Sequence, residues 1–205
     1  MRRWIALLGG LLLAGCTGSL LQSKAPPKTV YLLSVPGSAA AGEVSVDLAV
    51  REPRVRAGLD TDLIAVLYPD RRLDHIAGAR WSGPLDAVVQ DLALQAFRTG
   101  TPGHSVAAEG SAAASGYWLE LDVLDFQAEY PPGDAMPGVH VHLAARVVRA
   151  ADRRVLGRFD ADERAPAAAN RVSDIVAAFD QAAGAALDQI VAGTVTTLEA
   201  YSKTR

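Results

Sequence analysis

The sequence predicts an α/β fold: a single domain with a mixed, largely antiparallel sheet and two packed amphipathic helices, set behind a cleaved export leader. Three observations carry this reading. Several segments between residues 29 and 162 alternate apolar and polar side chains, the period of a half-buried strand. Two other stretches repeat apolar residues at helical spacing, one after Pro84 and one from Val172 to Leu198. The first fifteen residues have the build of a secretory signal: Arg2 and Arg3, then an apolar run from Trp4 to Ala14. That run is well short of the ~20 residues that span a bilayer.

The leader ends in Leu13-Ala14-Gly15-Cys16, which resembles the lipobox of bacterial lipoproteins. The resemblance implies cleavage between Gly15 and Cys16 and lipidation of the Cys16 thiol and amine. Several acyl chains anchor a protein stably where one does not. Cys16 is the only cysteine, so no internal disulfide competes for it. Thr17 follows it; lipoproteins retained at the inner membrane resemble one another in carrying Asp there, so an outer-membrane address is expected. Residues 16–28 hold the lipidated Cys16 and a polar tether with Pro26-Pro27. The folded domain is expected over residues 29–200. Hydrophobic residues make up 50% and charged residues 21%, an ordinary globular balance. The net charge of −3 becomes more negative once Arg2 and Arg3 leave, and this argues against a nucleic-acid partner.

Thr29 to Ser34 reads as a first strand, and Val44, Val46, Leu48 and Val50 as the inner face of a second, with a small-residue loop from Pro36 to Gly42 between them. Arg51 to Gly58 holds Pro53 and is expected to be irregular. Asp62 to Tyr68 is a continuous apolar strand, and Leu73 to Ala79 can return beside it after Pro69-Asp70. Pro84 is expected at the first helical position, where its missing N–H costs nothing. Leu85, Val88, Val89, Leu92 and Ala96 then share one face, and Thr99 to Gly103 ends the helix. Ser105 to Glu109 is a short strand, followed by a small-residue loop from Gly110 to Gly116. Three longer strands come next. Tyr117, Leu119, Leu121 and Val123 line one face of the first, with a register shift expected near Leu124 to Phe126. Val139, Val141, Leu143, Ala145 and Val147 line the second, and Phe159 and Ala161 the third, with Arg158, Asp160 and Asp162 outward. Ala150 to Arg153 makes the hairpin. The last helix is expected to be capped by Ser173 and weakened at Gly184 and Gly193.

The chemistry-bearing patterns are few. There is no Gly-rich phosphate loop, no Gly-x-Ser-x-Gly, no His-Glu-x-x-His and no Cys pair, so no enzyme activity and no cofactor are expected. His140 and His142 lie two apart on a strand and share a face. A zinc site needs three or four ligands, and nearby Glu129 and Asp134 lie in or beside a loop. Solvated histidines are therefore expected rather than a metal site. His75 and His104 have no local partner. Asp122 with Asp125, and Asp160 with Asp162, read as a solvated sheet face. Trp81, Trp118, Tyr31 and Phe126 are candidates for a ligand groove, but buried aromatics usually make core, and Trp81 is assigned to packing. Contact surfaces come from loops on a rigid scaffold. The stiff Pro131 to Gly138 loop, with Tyr130, Pro131 and Met136, is the candidate partner contact.

The order of these features is similar to the ABC-type transport auxiliary lipoprotein family, the group that includes paraquat-inducible protein C. The resemblance runs from about Thr29 to Leu198. It rests on the lipobox, Tyr31-Leu32-Leu33, the segment Leu59 to Ile64, Gly157-Arg158-Phe159, the Ala-rich C-terminal helix, and above all Arg80-Trp81-Ser82-Gly83-Pro84-Leu85 opening the first helix. Ser82 departs slightly from the small residue typical there. The resemblance implies a non-catalytic accessory at the outer membrane. Its partners would be a mammalian-cell-entry (MCE) domain protein of a transport system for lipids or other hydrophobic molecules, and further copies of itself in a ring. A lipoprotein that itself holds a hydrophobic ligand in a cavity is the alternative.

Overall fold

A computed structural model describes residues 27–35, 47–101, 105–111, 115–133 and 135–203. The leader, Gly15, Cys16, Thr17, the tether up to Pro26, Val44, Val46, His104 and Asp134 lie outside the described residues, as does the whole Pro36 to Gly42 loop.

Among the described residues nine strands form one sheet, in chain order β1 (Thr29–Tyr31), β2 (Asp47–Val50), β3 (Arg54–Val55), β4 (Leu63–Leu67), β5 (Leu73–Trp81), β6 (Ser105–Ala108), β7 (Tyr117–Glu129), β8 (Gly138–Arg149) and β9 (Val155–Pro166). Helix α1 (Leu85–Gly100) follows β5, and α2 (Val172–Lys203) closes the chain. β7 is the spine. One of its edges pairs antiparallel with β8 along its whole length, and β8 pairs antiparallel with β9. The other edge is shared, in chain order, by β2, β3 and β4, all parallel to it. β6 flanks β2, β5 flanks β4, and β1 flanks β5. The long ladders are antiparallel and most of the short ones parallel, which gives the mixed sheet its predominantly antiparallel pairing.

Two local expectations are corrected and one is narrowed. The segment after Val50 is irregular except at Arg54 and Val55, and it still follows the edge of β7. Arg51 N–H donates to Leu119 O at 2.9 Å, Arg54 and Val55 pair with Asp122 and Val123, and Arg56 N–H donates to Val123 O at 3.0 Å. Pro53, which has no N–H to give, sits buried between these contacts. Pro84 is the N-cap of α1, not its first helical residue: its carbonyl accepts from Val88 N–H at 3.1 Å. Ser173 does not cap α2. The helix starts at Val172 with Arg171 O accepting from Ile175 N–H at 3.0 Å, and the Ser173 hydroxyl lies 3.4 Å from the Asp174 carboxylate.

Both helices cover the same face of the sheet. The alternating residues of β7 and β8, Leu119, Leu121, Val123, Val139, Val141, Leu143, Ala145 and Val147, point into this layer and are each at most 2% exposed. Trp81, Phe126 and Phe179 meet at its centre, with ring centroids 5.0 to 6.2 Å apart. The two edge-on contacts of Trp81 are the favoured aromatic geometry. The assignment of Trp81 to packing holds. α2 is long and apolar enough to cross a membrane, but 61% of its most apolar window is buried inside the domain, as in the core helix of a soluble protein. Gly193 is more than a weak point in α2. A Cβ there would stand 2.6 Å from the Phe159 ring, so glycine lets helix and strand approach.

Candidate functional site

The face of the sheet away from the helices carries the charged residues. Its order comes from the pleat and from one irregularity. In β7 the outward positions run Glu120, Asp122, and then a bulge between Val123 and Asp125 resets the alternation. Without the extra residue Asp125 would point into the core. With it, Asp125, Gln127 and Glu129 join the outward row. Opposite them stand His142, His140 and, further along, Arg146 on β8; Asp160, Asp162 and Arg164 follow on β9. Arg51, Arg54 and Arg56 approach from the segment along the other edge of β7.

These side chains form a connected polar layer. Arg51 bonds Glu109 and Glu120 at 3.0 and 2.9 Å, and its guanidinium lies 5.2 Å from the Trp118 ring centre. Arg146 bonds Glu120 at 3.0 Å, Arg54 holds Asp122 at 2.6 Å, and Arg56 holds Asp125 at 3.1 Å. His142 Nε2 lies 2.8 Å from Asp160. His140 sits between Glu129, 3.0 Å from its Nδ1, and Asp162, 2.7 Å from its Nε2. Arg164 closes the group on Glu129 at 2.7 Å. Burial opposes the charge of Glu129. Hydrogen bonds from Gln127, His140 and Arg164 outweigh it and hold the carboxyl below its usual range. Burial likewise opposes charge on Asp162, and the His140 bond and nearby cationic groups bring it below its usual range.

The expectation of solvated histidines is therefore corrected. The His140 side chain is 8% exposed and that of His142 21%. Both are clamped between strands by carboxylates that come from 11 to 22 residues away in the chain. The acid pairs are not a plain solvated face either, since each of the four carboxylates has a basic or imidazole partner. The i, i+2 histidines carried half of this signal; the acids needed the bulge and the pairing register.

The loop after β7 is more constrained than its composition suggests. Tyr130 stacks on Tyr68 at 5.6 Å and donates its hydroxyl proton to Asn170 Oδ1 at 2.8 Å. Asn170 Nδ2 donates to Ala135 O, and Ala167 N–H donates to Pro137 O, each at 3.1 Å. Tyr130 is thus held in place from both its ring and its hydroxyl. Pro131 is exposed and Met136 is 42% exposed at the rim. Of the aromatic groove candidates, Trp81 and Phe126 are core, Tyr31 packs against the core, and Trp118 lies half-buried on the polar face.

Comparison with known proteins agrees with this architecture. A family profile described as ABC-type transport auxiliary lipoprotein component matches residues 31–191. No curated protein sequence matches the chain significantly. The crystal structure of a Xanthomonas campestris protein of the DUF330 family is similar, with 25% identity, a TM-score of 0.76, and coverage of 85% of this chain and 99% of that one. An uncharacterized protein follows at 15% identity and TM-score 0.65, covering 83% and 99%. A Chlamydia trachomatis protein follows at 9% identity and TM-score 0.54, covering 77% and 99%, a likeness of fold alone.

Proposed function

The chain belongs to the ABC-type transport auxiliary lipoprotein component family, and from that premise we propose that it is a non-catalytic accessory held at the outer membrane by lipid on Cys16. Its partner in this reading is an MCE-domain protein of an ABC transport system that moves lipids or other hydrophobic molecules between membranes. The observation that carries it is the reach of the family match, from the end of β1 to beyond the middle of α2, so the matched unit holds β2 to β9, all of α1 and most of α2. The space between sheet and helices is filled by side chains such as Trp81, Phe126 and Phe179. This favours an accessory that acts by contact over one that encloses a hydrophobic ligand in that layer. The loop from Pro131 to Gly138 is the proposed contact, either with the MCE protein or with a neighbouring copy in a ring. Pro131 and Met136 stand exposed on a backbone already fixed by Tyr130 and Asn170, so little entropy is lost on docking.

The test uses the full chain produced with its transport system. Wild type should incorporate palmitate, sediment with outer membrane and retain the MCE protein on purification. Cys16→Ser should lose the label and the membrane while its circular dichroism is unchanged. Replacing residues 131–138 by a short Gly-Ser turn should keep the label and lose the partner or the oligomer. Palmitate on Cys16→Ser would overturn the anchor. A wild-type lipoprotein that never retains the MCE protein would overturn the partner, and a loop variant with unchanged partner and oligomer would overturn the contact.

A further inference from the structure

We propose that Asp125, His140 and His142 form a binding site for a divalent transition-metal ion of the zinc class on the outer face of the sheet. Each residue offers one ligand atom, and the three atoms lie within 4.8 Å of one another. Ligands on one zinc ion, at 2.0–2.2 Å from it, stand roughly 3.4 Å apart in tetrahedral geometry. Small side-chain rotations therefore close the site. His142 Nδ1 and Asp125 Oδ2 are already 3.7 Å apart. That is too long for a hydrogen bond and near the separation of two ligands on one ion.

The second atoms of these ligands are occupied in the way metal ligands require. A ligating imidazole hands its other nitrogen to a carboxylate, which fixes its orientation. Asp160 sits 2.8 Å from His142 Nε2, and Gln127 Nε2 donates to Asp125 Oδ1 at 3.1 Å. His140 has a carboxylate at each nitrogen, Glu129 and Asp162. Ligation takes one nitrogen and leaves the other carboxylate as its orienting partner. The two rings are nearly parallel, 17° apart.

Charge points the same way. Four carboxylates, Asp125, Glu129, Asp160 and Asp162, converge here against two guanidinium groups, Arg56 and Arg164. A dication would be attracted by this imbalance. Two imidazoles with a carboxylate select zinc, nickel or copper over magnesium or calcium, which prefer oxygen ligands throughout. Three protein ligands also leave a coordination position for water or a partner's side chain. The bulge in β7 acquires a purpose in this reading, since it alone brings Asp125 to the histidine face.

The test is metal titration of the full-length lipoprotein in detergent after stripping with a chelator. Zn2+ binding is followed by calorimetry and Co2+ binding by its visible ligand-field absorption. The expected result is one ion per chain. Asp125→Asn and His142→Asn, both near-isosteric, should weaken binding at least about tenfold and change the Co2+ bands. Asp160→Asn should weaken it by about 10–100-fold, the range for loss of an orienting partner. Arg146→Gln, outside the cluster, should bind like wild type, and circular dichroism should show every variant folded. The proposal is overturned by absence of saturable binding, by a stoichiometry well below one, or by either ligand variant binding as wild type does. None of these outcomes depends on whether the MCE protein is the partner.

Discussion

The two faces of β7 and β8 are built from alternate residues of the same strands and obey different rules. On the helix side the rule is volume: the buried positions from Leu119 to Ala128 and from Val139 to Val147 are apolar, and Trp81, Phe126 and Phe179 fill the centre. On the open side the rule is pairing: most positions are charged or imidazole, and these are matched by groups from neighbouring segments of the chain. The inner face holds the fold together, because buried apolar area contributes roughly 25 cal/mol per Å². The outer pairs made by the exposed arginines, such as Arg54 and Arg56, contribute little each, because exposed ion pairs are worth at most about 1 kcal/mol. The outer face is therefore free to serve binding, and that is where both the metal proposal and Trp118 with Arg51 lie.

The contrast breaks most readily at Trp81. It is 1% exposed and touches both phenylalanines of the central cluster. Trp81→Ala is expected to cost about 3–5 kcal/mol, read from the denaturant midpoint. A change of similar size on removing Arg54, whose side chain is 66% exposed, would show that the two faces do not differ as argued.

Gly193 sharpens the comparison within the inner layer. Elsewhere in a helix Gly→Ala stabilises by up to about 1 kcal/mol. Here the new methyl meets the Phe159 ring at 2.6 to 3.1 Å. Overpacking costs roughly 1–3 kcal/mol, so Gly193→Ala is expected to destabilise by about 1 kcal/mol net. Adding Phe159→Leu should recover much of that loss, a coupling that a double-mutant cycle measures. A more stable single variant would show that Phe159, which is only half-buried, moves aside freely.

Much of the inner face was legible in the sequence and most of the outer face was not. Period-two alternation in Val139 to Val147 and the helical stripe of α2 are local patterns, and the chain cannot bury those residues otherwise. The register shift near Leu124 was also readable, because the apolar parity changes between Val123 and Phe126. What the pattern does not contain is partner choice. That β2, β3 and β4 all run parallel along one edge of β7 is a matter of long-range topology, and the two-residue β3 carries no signal of its own beside Pro53. His140 looked solvated because its clamps, Glu129 and Asp162, lie on neighbouring strands at positions fixed only by register. Gly193 looked like a defect because Phe159 is 34 residues away in the chain.

The smallest expected effect tests a carboxylate that belongs to neither rule. Asp180 lies on α2, beside the buried stripe, and accepts a hydrogen bond from Ser34 N–H at 2.8 Å, which ties the end of β1's segment to the helix. No cation partners it among the described contacts. Burial raises its pKa, and the Ser34 bond only partly offsets that. A group with a raised folded pKa favours the fold in its protonated form. Its contribution is therefore fully present below the unfolded value, about 3.9 for Asp, and is lost as pH rises through the folded value. At neutral pH the charged form weakens the domain. Asp180→Asn removes the charge and keeps an oxygen for Ser34. It is expected to raise Tm at pH 7 by no more than the 2–4 °C that about 1 kcal/mol gives in a chain of this size, and to leave Tm unchanged near pH 3.5. A lower Tm at pH 7 would mean that the Ser34 bond needs the full carboxylate charge. The segment after β1 would then be held by electrostatics, as the outer face is, and not by the packing that holds the rest of the helix side.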